Sequence, residues 1–218
     1  MSRAMKKYNK LFSASEIAGK VTNFYEFAAM HGFGWKDELS KYADIGTMVH
    51  EMIEKDLCHN HLSQPKKAVE HSKKINDFSE DDIVAINNSF DAYKEFMHDH
   101  EVVVLSTEEK LAADDDATFR GSLLSVGCTI DMVAVVNGER VIVDWKTSSK
   151  LSDSGMVQIA ANEIIRRTLG LDNIDTGMLI RLDKKGKGYE VKRFEIEKYF
   201  DLFISLYSVE LEKKILGI

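Results

Sequence analysis

Asn137-Gly138 sits between two apolar, β-branched runs, and no other stretch restricts the fold of the chain so tightly. Both residues tolerate positive φ, so the pair reads as a tight turn joining strands over 129–136 and 139–146. With a two-residue turn, Val136 pairs with Glu139 and, counting outward, Asp131 lies opposite Asp144. Cβ atoms at such positions are about 4.5–5.5 Å apart, and like charges there repel. A four-residue loop instead sets Asp131 opposite Lys146 and leaves Asp144 on the same face. Only an odd shift such as a bulge breaks that arrangement. Val141-Ile142-Val143 marks a buried strand, so Asp144 and Lys146 at its end are costly unless paired or functional. Two carboxylates in an apolar hairpin want a cation between them. A structural ion pair with Asp131 as a spectator is the alternative.

At 218 residues and 44% hydrophobic, the chain is long enough for one sizeable core, and a single domain over 1–218 is expected. Residues 1–100 read as mainly helical and 101–218 as the sheet core. No apolar run is long enough to span a membrane. The start, 1–10, is basic and polar and does not read as a secretory signal. Cys58 and Cys128 are too few for a disulfide framework, which suggests reduced thiols and a cytoplasmic setting, or an organellar matrix in a eukaryote. A net charge of −7 argues against coating nucleic acid by bulk attraction, though a nuclease needs only local cations and a metal.

Ser13 and Glu16 form a capping-box pattern that predicts a helix over 14–31. A loop over 32–40 carries Phe33 and Trp35, and a second helix covers 44–58 with Ile45, Met48, Val49, Met52, Ile53 and Leu57 at helical spacing. Polar residues around Pro65 suggest loop or a short helix over 60–77. Ser79 caps a helix to His100, and a strand follows over 102–107. Asp114-Asp115-Asp116 reads as a solvated turn, since calcium-loop spacing is absent. A helix over 152–170, a second hairpin (176–182 and 189–196) and a closing helix (197–216) complete the chain. The expected class is α/β with a mixed central sheet flanked by helices and extra N-terminal helices.

Gly46 precedes His50 by one turn on the same helix face. A missing side chain there would let the helix approach the sheet and bring His50 to the hairpin carboxylates. Gln158 lies on the later helix, with Asn162 one turn on.

Gly46-x-x-x-His50, Thr129-Ile130-Asp131, Asp144-Trp145-Lys146-Thr147-Ser148 and Gln158-x-x-Ala161 in this order resemble the RecB-type branch of the PD-(D/E)XK nucleases. That branch includes the RecB nuclease domain, CRISPR-adaptation nucleases and the mitochondrial genome-maintenance exonuclease. The resemblance covers about 44–165. It implies a restriction-endonuclease-like core in which His50, Asp131, Asp144 and the Trp145 carbonyl bind Mg²⁺ or Mn²⁺. It also implies that Lys146 positions or activates the attacking water, or offsets charge in the transition state. Thr147, Ser148, Gln158 and Asn162 would contact substrate. Hard carboxylate oxygens suit Mg²⁺, and a cation would relieve the repulsion between Asp131 and Asp144. The chain departs from the family pattern in two places: Cys128 replaces a common glycine, and Asn162 replaces a common tyrosine. Two cysteines cannot hold the iron–sulfur cluster of some members. Glu108 and Glu109 stand where some relatives place an extra acidic ligand, though a solvated strand end is the plainer reading.

Cys58-His59-Asn60-His61 is too closely spaced for a zinc site. The basic tip 181–193 would track a phosphate backbone or simply solubilise a turn. Arg166-Arg167 complements a helix dipole. The function expected is a metal-dependent deoxyribonuclease, an exonuclease preferring single-stranded or free DNA ends, in repair, recombination or degradation. An endonuclease of the same fold and a non-catalytic DNA-binding or recruitment subunit are the alternatives.

Overall fold

The Asn137-Gly138 turn forms with both residues at positive φ, 50° and 83°. It joins β3 (Ser122–Val136) to β4 (Glu139–Lys146) in the two-residue register, from Val136 with Glu139 to Met132 with Val143. The computed structural model describes residues 12–21, 35–62 and 78–217. Ahead of the hairpin come β1 (Phe12–Ser13), α1 (Ala14–Ala18), α2 (Trp35–Asp56), α3 (Glu80–Asp99) and β2 (Val102–Phe119). After it come α4 (Asp153–Thr168), β5 (Thr176–Leu182), β6 (Tyr189–Glu195) and α5 (Phe200–Leu216). Six strands make one mixed sheet: β2 lies on one edge of β3, and β4, β5 and β6 follow on the other. The protein is α/β, with helices against both sheet faces.

Alternation along the strands divides the core in two. Val133, Ile142 and Leu179 pack with Ile17, Ile164, Phe200 and Phe203 of α1, α4 and α5. Met132, Val141, Val143 and Trp145 face the other way, onto Val49 and Ile53 of α2 and Tyr93 and Phe96 of α3. Ile130 joins the same core as Val133, three residues away, which strict two-residue alternation forbids. β3 therefore turns over at Asp131. The ladder to β4 stops at Met132, and Asp131 does not pair with Asp144. Across β2 the same step falls at Glu108, whose φ is 48°. The hairpin register itself is unshifted and ends at Met132, and the register shifts between β2 and β3 lie elsewhere, between Val104 and Ser106 and between Ala113 and Ala117.

The edge of β3 that faces β4 carries a second partner. β4 covers it over Met132–Val136, and β1 runs parallel to it at Val126 and Gly127. Between them residues 128–131 have no strand partner on that edge among the described residues. The sheet forks there, and helices from both faces reach the opening.

Several local expectations are revised. Ser13 precedes α1 but its hydroxyl bonds Ser15 Oγ at 2.7 Å rather than capping, and the α-helix ends at Ala18 before a 3₁₀ turn; residues 22–31 lie outside the described residues. The second helix starts at Trp35, so 35–40 is helix and not loop, and it runs into a π-helical turn, Leu57–His61. Phe33 and residues 63–77 lie outside the described residues. Ser79 does cap α3, with a reciprocal bond to Asp82. Asp114–Asp116 is not a turn: β2 runs through it, with an irregularity between Ala113 and Ala117 absorbing the extra residues. The last helix opens with a 3₁₀ turn, Ile196–Tyr199. No helix among the described residues is long and apolar enough to cross a membrane.

Candidate metal centre

His50 reaches the fork from α2. Its Nε2 donates to the Trp145 carbonyl at 2.9 Å, and its Nδ1 lies 3.5 Å from Asp131 Oδ2. The same carboxylate oxygen accepts the backbone N–H of Trp145 at 2.9 Å. Asp131 and His50 thus engage the two backbone groups of one β4 residue, its N–H and its carbonyl. Nδ1 of His50 and Oδ2 of Asp131, both atoms of the kind that ligate a metal, face each other at the fork.

The approach of α2 depends on Gly46. A Cβ there would stand 3.3 Å from Thr147 Oγ1, closer than ordinary contact. Thr147 is buried beneath the helix, and the Ser148 hydroxyl is turned into its own loop, donating to the Lys150 carbonyl at 2.8 Å. Of the substrate-contact residues expected from sequence, these two therefore face helix and loop.

Beside the bracketed peptide lies an ion pair. Lys146 Nζ is 2.7 Å from Asp144 Oδ2 and donates to Gln158 Oε1 on α4 at 3.2 Å. The Asp144 carboxylate is buried, and Lys146 is its ion-pair partner. Burial pushes the Asp144 carboxyl up, Lys146 draws it down and Asp131 pushes it up again, which leaves it at about 6. For Lys146, burial opposes the charge, but Asp144 and Asp131 outweigh it and raise its pKa. Lys146 is therefore an ammonium in the metal-free protein.

Glu108 completes the cluster. Ligand atoms of His50, Glu108 and Asp131 lie within 4.8 Å of one another, a group able to hold a metal ion. Asp144 stands outside this group, turned to Lys146. Glu109, the other candidate beside it, accepts from Arg166 Nη1 at 2.7 Å on the α4 side. The two neighbours part company because the strand turns over between faces at Glu108. Sequence reasoning ranked Glu108 as a strand end; its signal, a position across from Asp131 where the alternation breaks, needs the β2–β3 register to be seen.

The centre opens into a cleft of about 800 Å³. Its wall includes Asn162, buried, with a carboxamide oxygen that has no hydrogen-bond donor among the described residues. Elsewhere the polar motifs are mostly spent on the fold. Asp56 accepts from Tyr93 Oη at 2.6 Å and from Asn60, and pairs with His61 Nε2 at 3.0 Å. Arg166 and Arg167 lie in the last turn of α4 as expected, and Arg167 also pairs with Glu163 and Asp175. On the basic tip Arg181 pairs with Asp183 and Glu190, Arg193 pairs with Glu139, and Lys184 lies over the Tyr42 ring at 4.3 Å. Lys185, Lys187, Lys192 and Arg193 are exposed there, and Lys192 lies 3.9 Å from Asp153.

No family model matches the chain, and no curated protein does. Among solved structures, that of a protein designated SSO0001 is 10% identical, with 96% of this chain and 82% of that one covered and a TM-score of 0.42. A likeness at that level carries no argument about function.

Proposed function

We propose that the chain is a metal-dependent DNA nuclease with a restriction-endonuclease-like core of the RecB-type PD-(D/E)XK kind, acting as an exonuclease on single-stranded ends. The observation that carries the proposal is the meeting of His50, Asp131, Glu108 and the Trp145 carbonyl at the fork of the sheet, beside the Asp144–Lys146–Gln158 chain.

The donor set fits a hard divalent cation. Carboxylate and carbonyl oxygens suit Mg²⁺ and Mn²⁺, and an imidazole is compatible with Mn²⁺ in particular. His50 Nδ1 and Asp131 Oδ2 face each other at 3.5 Å, and the buried Asp144 carboxylate beside them is paired with Lys146. His50, Glu108, Asp131 and the Trp145 carbonyl would hold the ion, with Asp144 at its margin. When bound, it would supply charge neutralisation for a phosphodiester and lower the pKa of a water in reach.

The protein's own groups have separate tasks. Asp131 holds the backbone N–H of Trp145 and His50 its carbonyl, so the end of β4 is fixed before substrate arrives. Lys146, anchored at both ends by Asp144 and Gln158, places a fixed ammonium where phosphate charge grows as water adds to phosphorus and the P–O bond to the leaving sugar breaks. Preorganised charge of this kind needs no rearrangement during reaction.

Linear and covalently closed single-stranded DNA, each incubated with protein and Mg²⁺, separate the forms of this activity. An exonuclease digests the linear strand and leaves the circle intact. A cut circle identifies an endonuclease, and intact DNA in both tubes removes the nuclease reading.

A further inference from the structure

From the metal centre the cleft continues along β2 and β3 away from β4. The next step of the ladder after Glu108 and Asp131 pairs Lys110 with Thr129, and the one beyond pairs Ala112 with Gly127. All four of these residues line the cleft. Each step advances about 6.6–6.8 Å, two residues of strand, comparable with the separation of successive phosphates in an extended nucleic-acid strand. The floor thus passes from acids, to an ammonium with a hydroxyl, to two residues with almost no side chain.

Lys110 is exposed and has no ion-pair partner among the described residues. On the basic tip, Arg181, Lys192 and Arg193 pair with acids, and the exposed Lys185 and Lys187 are not among the residues lining the cleft. Gly127 is not small because of crowding: a Cβ there would meet the Leu111 carbonyl at 3.6 Å, an ordinary contact. The bare step leaves room for a sugar and base above it. At the far end β1 runs into α1, and Ser13 and Ser15 close the cleft.

We infer that this cleft is a track for one nucleic-acid strand, in which Lys110 grips the phosphate next to the scissile one and the Ala112–Gly127 step receives the adjoining nucleotide. The inference rests on the nuclease reading for its direction but names a binding contact that can be measured alone. Lys110 is a binding residue here, since it touches substrate one step away from the reacting phosphorus.

The test measures binding of fluorescein-labelled oligothymidylate in Ca²⁺ and its hydrolysis in Mg²⁺, for wild type, Lys110→Glu, Lys110→Arg and Ala112→Leu. Lys198→Glu, outside the cleft, makes the same charge change as a control. Lys110→Glu is expected to weaken binding about tenfold or more and to lower the salt slope by about one. Lys110→Arg is expected to restore binding, and Ala112→Leu to weaken it without changing the slope. Both positions are exposed, and circular dichroism verifies folding. Equal affinity and slope for wild type and Lys110→Glu overturn the track. Binding that depends on Lys110, without hydrolysis by wild type, removes the nuclease reading and leaves the track standing. A wild type that neither binds nor cuts overturns both.

Discussion

His50 Nε2 and the carbonyl oxygen of Trp145 are 2.9 Å apart, which ties helix α2 to the end of β4 across the fork in the sheet. Neither element could supply the site alone. The helix brings an imidazole to the carbonyl of the residue whose N–H Asp131 binds, and the gap between β1 and β4 leaves the cluster open to the cleft. Local changes that move α2 or β3 should therefore appear as changes in metal affinity.

Gly46 sets the height of the helix over Thr147. Replacement by leucine improves helix propensity by about 0.8–1 kcal/mol, yet its side chain must displace Thr147, which costs about 1–3 kcal/mol. Gly46→Leu should therefore be no more stable than wild type and should bind Mn²⁺ at least tenfold more weakly by calorimetry. Gly46→Ala should stay within about 1 kcal/mol of wild type in urea unfolding. Unchanged Mn²⁺ affinity in Gly46→Leu would show that the close approach is irrelevant to the centre.

Glu108 is held at φ 48° in mid-strand. Asparagine tolerates that backbone region and a β-branched residue does not. Glu108→Val should lose about 1–3 kcal/mol of stability while Glu108→Asn loses little. Both should weaken Mn²⁺ binding, because both remove the carboxylate. Equal thermal midpoints for the two variants would mean that the strained turn-over does not persist in solution.

Asp144 gives a pH signature in metal-free protein. Its carboxyl is raised from the ordinary 3.8 to about 6. The folded state therefore holds a proton that the unfolded state has lost between these values, so stability falls as pH rises through this window. The loss is complete above about 6 and is of order 2–3 kcal/mol. Urea unfolding in EDTA from pH 3.5 to 7 reads it (roughly the window set by the two pKa values), with Asp144→Asn as reference. The wild-type stability should decline relative to the variant; a parallel pair of curves would contradict the burial of an acid at this position.

The hairpin could be read from sequence because its cause is local. Asn137 and Gly138 accept positive φ at little cost, and that choice propagates into the register of Met132 and Val143. The closeness of α2 was legible through Gly46, and the pairing of Asp144 with Lys146 through their alternation around Trp145. What stayed hidden is non-local. The turn-over of β3 at Asp131 needs β2 alongside it, with Glu108 at positive φ, and β2 itself extends through three consecutive aspartates that locally favour a turn. The Ser13 pattern was misleading for the opposite reason: a capping box specifies a local contact, but the hydroxyl found Ser15 instead. Lys110 carries no motif, and only the ladder shows it one step from the acids.

Lys146 offers the most direct measurement: the initial rate at which wild type and Lys146→Ala digest an end-labelled single-stranded oligonucleotide in Mg²⁺ and in EDTA. The expected result is digestion by wild type in Mg²⁺ alone and a rate at least about 100-fold lower for the variant, the size of effect seen when one preorganised charge-stabilising group is removed. No digestion by wild type in Mg²⁺ or Mn²⁺, or equal rates from the two proteins, would contradict it.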